Sequence, residues 1–314
     1  MKYNVISIGE ALIDFTDIGT SENGMKIFEQ NPGGAPANVA CACAKLGLST
    51  AFIGKVGQDM HGNFLIDTLQ NCGVDTSYMV QDETVFTTLA FVKLSENGDR
   101  SFSFARKGSA DVMLREDELN YETLQNTEIL HFGSLSLTDE PSKTAVLTAV
   151  KKAKEAGVVI SYDPNYRPLL WKSEQQAVEA MRSVLHIVDM IKLSDNETEL
   201  VCGTKDIYEA TDVLHQQGIQ LVLLTCGGDG ALISCPEGKI MVPAAPANVV
   251  DTTGAGDSFL GGFLYKLCTE NQGLCNITKE QAQSYATFAN RVAGYCVSGR
   301  GAIPALPYLK DITE

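Results

Sequence analysis

The run Val249-Val250-Asp251-Thr252-Thr253-Gly254-Ala255-Gly256-Asp257-Ser258-Phe259 carries the residue types needed to move a negatively charged group onto a hydroxyl. An apolar pair leads into a turn of small residues, and that turn opens a helix. The helix is read from the stripe Phe259, Leu260, Phe263, Leu264 and Leu267, which has helical spacing. Gly254 and Gly256 leave the backbone bare, so amide N–H groups can approach an oxyanion closely. The helix dipole favours negative charge at the same place. Asp257 then stands in the first turn, beside the anion site. Amides that hold phosphate charge, with a carboxylate that takes a hydroxyl proton, suit phosphoryl transfer.

A second glycine segment, Pro32-Gly33-Gly34-Ala35-Pro36-Ala37-Asn38, precedes a helix that Pro36 can begin. Gly33 and Gly34 admit a polyol close to the backbone, and Asn38 can both donate to and accept from hydroxyls. Taken alone, the segment also reads as a turn and a helix start. Asp163-Pro164-Asn165-Tyr166-Arg167 follows an apolar strand, which sets Asn165 and Arg167 at its C-terminal end. Arg167 is suited to sugar hydroxyls and equally to a bidentate pair with a carboxylate. Ser194-Asp195-Asn196-Glu197-Thr198-Glu199 reads as a helix cap with acids in its first turn. Thr225-Cys226-Gly227-Gly228-Asp229-Gly230 reads as a turn after a strand.

These segments sit on a chain that alternates strand-like and helix-like stretches. Strands are predicted at Val5–Ile8, Thr50–Gly54, Ile129–Phe132, Val158–Tyr162, Ile187–Leu193, Gln220–Thr225 and Ala231–Cys235. Helices are predicted at Pro36–Leu46, Phe64–Leu69, Pro141–Ala156, Ala177–His186, Gly256–Leu267 and Thr278–Cys296. Such alternation implies an α/β fold with a mostly parallel sheet covered on both faces. Ligands of such sheets bind beyond the C-terminal ends of the strands. Two stretches break the pattern: Ala11–Ile18 with Met25–Gln30, and Val85–Leu94 with Ser101–Arg106 around Glu96-Asn97-Gly98-Asp99. The second reads as a hairpin, with Phe102 and Phe104 at period two. Together these pieces predict a small separate sheet.

The 314 residues carry a formal net charge of −15, which argues against a nucleic-acid or anionic-membrane partner. A phosphate-bearing substrate must then be held by local amides, a few Lys or Arg, and a divalent cation. Nine cysteines without a Cys-x-x-Cys pair do not suggest a disulfide framework. Four dispersed histidines form no metal motif. The N-terminus has no charged-then-apolar leader, and no apolar run is long enough for a bilayer, so a cytoplasmic location is expected. A Rossmann dehydrogenase would need Gly-x-Gly-x-x-Gly after the first strand, and Gly9-Glu10-Ala11 does not supply it.

Gly33 through Gly57, with Asn38, Gly47 and Gly57, resembles the first signature of the ribokinase-like (PfkB) carbohydrate kinases, and Asp251 through Gly262 resembles the second. The likeness runs from Gly9 to Pro304. It implies a single domain over residues 1–314, with a Rossmann-like sheet and a β lid formed by about 10–30 and 84–108. It implies ATP as donor, Mg²⁺, and in many members a monovalent cation such as K⁺. The catalytic roles fall on Asp257 as base and on the Gly254, Ala255, Gly256 turn, with the amides of Ala255, Gly256 and Asp257 as donors. Sugar contacts fall on Asp14, Gly33, Gly34 and Asn38. Arg106, at the end of a lid strand, joins Asn165 and Arg167 as a substrate contact, or is a solvated lid charge. Asn196 and Glu199 match an Asn-x-x-Glu element, Glu199 reaching the Mg²⁺ through water. Thr225, Gly227 and Gly230 match the nucleotide loop, Asn290 the adenine pocket, and Asp251 and Thr253 the monovalent-cation site.

Within the family, Gly9–Phe15 and Asp163–Trp171 look most like fructokinases. The expected partners are a small sugar and ATP, with the lid as the surface for a homodimer. The rivals are kinases of 2-keto-3-deoxygluconate or aminoimidazole riboside, and a catalytically silent sugar-binding regulator.

Overall fold

A computed structural model describes residues 2–94, 100–270 and 273–313. The turn read at Glu96–Asp99 lies outside the described residues. Among the described residues thirteen strands fall into two sheets. The large sheet takes β1 (Tyr3–Ile8), β4 (Thr50–Gly57), β5 (Met79–Asp82), β8 (Thr127–Gly133), β9 (Val159–Asp163), β10 (Met190–Ser194), β11 (Leu221–Thr225), β12 (Ala231–Cys235) and β13 (Gly238–Val242). Its order is β13-β12-β11-β10-β9-β8-β1-β4-β5. Pairing is parallel from β5 to β11, and the last two strands close one edge antiparallel. The register sets Gly133 beside Asp163 and Ser194 beside Thr225, so the C-terminal ends of successive strands lie in a row.

Both faces of this sheet are covered. On one, Ala145, Val146, Ala149, Val150 and Ala153 of the helix Ser142–Glu155 pack with Phe132, Ile160 and Tyr162. On the other, Val39 and Cys43 of α1 (Ala35–Lys45) pack with Phe259, Phe263 and Tyr285 over Leu223 and Ile233. The helices on this second face are spaced by small residues. A Cβ on Gly261, in the helix Ala255–Glu270, would stand 2.4 Å from the Cβ of Ala42. A Cβ on Gly262 would stand 3.0 Å from the Cα of Ala289, in the helix Lys279–Cys296.

The small sheet has the order β3-β2-β6-β7, from β2 (Leu12–Thr20), β3 (Lys26–Gly33), β6 (Leu89–Leu94) and β7 (Arg100–Ala105). The two stretches that break the α/β alternation therefore do form one separate sheet. Strand alternation points Leu12, Asp14 and Thr16 inward over the ends of the large sheet and leaves Phe15 on the outer face.

Three expectations shift. Residues 85–88 precede β6 without joining it, because the Asp59 carboxylate takes the Thr87 N–H and hydroxyl at 2.8 and 2.9 Å. β10 starts at Met190, since Leu185–Ile187 forms a 3₁₀ turn. β5, β13 and the helix Ile207–Gln216 have no counterpart in the sequence reading. Both strands are short and half-buried at sheet edges, where alternation carries little signal.

The helix contact at Gly261 leaves no room for a side chain. Gly261→Val is expected to lower unfolding free energy by about 1–3 kcal/mol through overpacking, read as a lower urea midpoint with unchanged slope. An unchanged midpoint would mean that the two helices part at no cost.

Candidate active site

The lid and the row of strand ends enclose a cleft of about 1150 Å³. The lid contributes Asp14, Thr16, Glu29 and Asn31, the strand ends Asn165, Arg167, Lys192, Ser194 and Glu197, and the glycine turn residues 251–257. Asp257 sits at the junction and is only 6% exposed. Asn38 donates from Nδ2 to Asp257 Oδ2 at 2.7 Å, and Asn165 Nδ2 lies 3.4 Å from Oδ1. Burial, with help from nearby Asp163, pushes the Asp257 carboxyl up to about 6, against the pull of Lys192, Asn38 and Arg167. A carboxylate in that range is ionised at neutral pH, yet basic enough to take a proton.

Its neighbours are fixed from below. Asn165 has the left-handed φ of 44°, rare for a residue with a side chain. The Asp163 carboxylate holds that bend by accepting the Asn165 N–H at 3.0 Å, and its other oxygen pairs with Lys192 Nζ at 3.0 Å. Lys192 is buried and remains a cation, because Asp163, Glu197 and Asp257 outweigh its desolvation.

The glycine turn is as tight as its sequence implies. Gly254 has φ 77°, and a Cβ there would stand 2.7 Å from the Ala302 Cβ. A Cβ on Gly256 would stand 2.6 Å from Lys192 Nζ. Of the three amides implied as donors, that of Ala255 closes the turn onto the Thr252 carbonyl at 3.3 Å. Those of Gly256 and Asp257 belong to the first helical turn, where N–H groups have no intrahelical acceptor. The Asp251 carboxylate accepts the Thr253 N–H and hydroxyl at 2.9 and 2.7 Å on one oxygen and the Gly301 N–H at 3.0 Å on the other. It thereby ties the turn to the loop 297–303.

In the first glycine segment, Gly34 has φ 107°, and a Cβ there would strike the Glu10 carbonyl at 2.3 Å. A Cβ on Gly33 would lie 2.5 Å from Asp14 Oδ2, so this glycine is what lets the Asp14 carboxylate lie across β3. Glu10 accepts the Ala35 N–H at 3.2 Å, and burial pushes its carboxyl up to about 7.

Several expected positions are placed differently. Arg106 is buried and donates to Asp111, Thr138 and the Leu135 carbonyl, each at 2.8 Å. It anchors the lid strand and does not line the cleft. Asn196 and Glu199 are exposed, and Glu199 pairs with Lys205 at 3.3 Å. The cleft instead receives Ser194 and Glu197, two residues earlier, because the 3₁₀ turn Asp195–Glu197 folds Glu197 back onto the end of β10. Glu197 accepts the Tyr166 N–H at 2.7 Å and the Ser194 N–H and hydroxyl at 2.8 Å. Thr225 donates to the Leu193 carbonyl at 3.2 Å, while Gly227 lies exposed in the turn that follows. Gly230 is required by the chain itself, since a Cβ would meet the Val242 carbonyl at 2.1 Å. Asn290 spends its amide donors on the Val242 and Pro243 carbonyls at 3.3 and 2.8 Å. These four lie beyond the cleft, flanking β11 to β13. Glu10, Glu29, Asn31, Lys192, Ser194, Glu197 and Arg300 were missed as lining residues. Lys192 alone left a signal, as a lone charge inside the apolar run Met190-Ile191-Lys192-Leu193.

The profile of the pfkB family carbohydrate kinases matches residues 2–309. A probable fructokinase-5 of Arabidopsis thaliana is 42% identical over 310 residues, 98% of this chain and 95% of the relative. The fructokinase of Vibrio cholerae O395, solved with fructose, ADP and calcium, is 32% identical with a TM-score of 0.90, covering 99% of this chain and 98% of its own. A double mutant of it was solved with fructose, ADP and potassium. The fructokinase of Xylella fastidiosa with bound ATP is 32% identical with a TM-score of 0.89, covering 99% of this chain and 97% of its own.

The raised Asp257 carboxyl has a thermodynamic consequence. Its folded value lies above its ordinary 3.8, so the ionised form is disfavoured by folding. The cost is absent well below 3.8, grows as pH rises, and is full above about 6, reaching on the order of 2–3 kcal/mol. Asp257→Asn is therefore expected to be more stable than wild type in urea at about pH 7.5, with a smaller gain at about pH 5. Equal gains at both values would show that burial does not perturb this carboxyl.

Proposed function

Because the chain belongs to the pfkB family of carbohydrate kinases, we propose that it is an ATP-dependent fructokinase. It transfers the γ-phosphoryl of ATP to the 6-hydroxyl of fructose, giving fructose 6-phosphate and ADP. The observation that carries this reading is the buried Asp257 carboxylate at the head of the glycine-turn helix, held by Asn38 and facing the lid-covered cleft.

In this reading fructose lies between Asp14, Gly33, Gly34 and Asn38, with its 6-hydroxyl toward Asp257. Asp257 takes the hydroxyl proton as the oxygen attacks the γ-phosphorus, and the bond to the ADP oxygen breaks. The amides of Gly256 and Asp257 receive negative charge on the transferring group. The transition state of such transfers is loose, so positioning and charge count for more than base strength. The lid shields ATP from water during the step. ATP lies along the ends of β10 and β11, past Ser194 and Thr225, toward Asn290.

Among the described residues no cluster of three metal-ligating side chains occurs. That suits Mg²⁺, which is usually carried by phosphates and water with few protein ligands. Glu197, at the cleft, takes the outer role assigned from sequence to Glu199. When bound, Mg²⁺ neutralises charge on the β- and γ-phosphates. We place K⁺ at the loop 297–303 beside Asp251 and Thr253, in keeping with the potassium-bound relative.

The outer face of the lid supports a homodimer. Phe15 stacks on Phe91 at 5.4 Å and Phe28 meets Phe91 edge-on at 5.9 Å, yet Phe28 and Phe91 are 41% and 38% exposed. No helix among the described residues is long and apolar enough to cross a membrane. All nine cysteines are free thiols, which fits a reducing compartment such as the cytoplasm.

Neutral fructose is favoured over a sugar acid because Asp14 and Glu29 line the lid side of the cleft, where a carboxylate would be repelled. The test is an ADP-coupled assay with both substrates. Fructose is expected to be preferred, with no turnover in excess chelator. Asp257→Asn should lower kcat by about two to four orders of magnitude. Arg167→Gln should lower kcat/KM for fructose by no more than about tenfold, the scale of one neutral hydrogen bond. A preference for 2-keto-3-deoxygluconate that collapses in Arg167→Gln would overturn fructose as substrate. For the dimer, light scattering should give twice the chain mass, and Phe28→Asp should shift it to one; a wild-type monomer at all concentrations removes that part.

A further inference from the structure

Lys192 has no place in the phosphoryl-transfer reading so far, yet it is a buried charged side chain at the floor of the cleft. Its Nζ lies 3.0 Å from Asp163 Oδ2 and fills the space where Gly256 would carry a Cβ, 2.6 Å from that point. The residue is only 6% exposed, although it lines the floor of the cleft. A lysine inside an apolar strand is expensive unless its charge acts on something nearby. The charged groups facing it are Asp163 at the end of β9, Glu197 in the turn after β10 and Asp257 on the glycine-turn helix. His131 on β8 is the remaining titratable neighbour; burial and Lys192 hold it neutral, down to about 3.

The carboxylate of Asp257 stands in a pocket that opposes ionisation. Burial and the Asp163 charge both favour the protonated acid. Against them act Lys192, the Asn38 amide and the Arg167 guanidinium, which is exposed and screened. Asn38 is neutral, so Lys192 is the one buried full charge on the favourable side.

We propose that Lys192 is a positioning residue for the transfer step, whose ammonium behind Gly256 keeps Asp257 ionised and holds Asp163 in the place that bends Asn165 onto it. This rests on Asp257 being the base. It explains why Gly256 has no side chain: a Cβ would displace the ammonium from beside the turn. It also separates two roles in one ion pair. Asp163 orients Asn165 but disfavours the ionised base, and Lys192 offsets that cost.

The sign of each change follows. The active base is the carboxylate, so turnover falls as pH drops through the Asp257 value, giving an acid limb near 6 in wild type. Removing the Lys192 charge favours the protonated acid and moves the limb up. Removing the Asp163 charge moves it down.

The experiment is the pH profile of kcat for fructose phosphorylation in wild type, Lys192→Met, Asp163→Asn and the double variant. Lys192→Met, similar in volume, is expected to raise the acid limb by at least about one pH unit, with KM for fructose changed less than about threefold. The double variant should return the limb toward wild type, because it removes opposing charges together. A packing role alone would lower kcat without moving the limb. If Lys192→Met does not fold, the double variant against Asp163→Asn carries the same comparison, since it removes the two members of the ion pair together and leaves neither without its partner. A limb that stays in place when Lys192 is neutralised overturns the proposal. Asp257→Asn, run alongside, tells that outcome apart from failure of the base itself, which would appear as near-normal turnover without the carboxylate.

Discussion

The hydrogen bond from Asn38 to Asp257 joins two helices that are 219 residues apart in the chain, and the site is arranged around it. It can form only because α1 and the glycine-turn helix touch at Ala42 and Gly261, where a larger residue would force them apart. Each helix begins at a glycine turn, and each turn aims its backbone at the same cleft. The two glycine segments are thus brought face to face by one close helix contact. A loss of tight packing there moves Asp257 and the Asn38 amide together.

That arrangement carries an electrostatic cost. Asp257 is buried beside a second carboxylate, Asp163, and both effects resist ionisation. The site meets this with one buried ammonium, one amide and the first-turn N–H groups of a helix, all preorganised before substrate arrives. The strain of Asn165 in the left-handed region belongs to the same arrangement, since it turns the side chain back toward Asp257.

The lid is built for a polar guest. Its inner face presents Asp14, Thr16, Glu29 and Asn31, and its outer face presents aromatic rings. Strand alternation sets these polar groups, with Leu12, Val92 and Phe104 beside them, toward the cleft, and Phe15, Phe28 and Phe91 toward the other side. Arg106, buried and triply bonded, fixes the lid's last strand to the large sheet's end through Leu135 and Thr138.

The geometry of the glycine turn was legible in the sequence, because Gly254, Gly256 and Asp257 lie within four residues and their placement depends on local backbone freedom and on the start of a helix. The α/β alternation and the separate lid sheet were legible for the same reason: periodicity is local. What the sequence left open depends on which way a side chain faces after the chain has bent. Glu197 and Glu199 are two residues apart and chemically alike, and only the 3₁₀ turn after β10 decides that Glu197 enters the cleft. Arg106 at a strand end looks like Arg167 at a strand end; packing buries one against Asp111 and leaves the other at the mouth. Lys192 shows the division most clearly. Its presence in an apolar strand was plain in the sequence, but its proximity to Asp163 and Gly256 comes from strands and a helix far apart in the chain, which only the tertiary fold brings together.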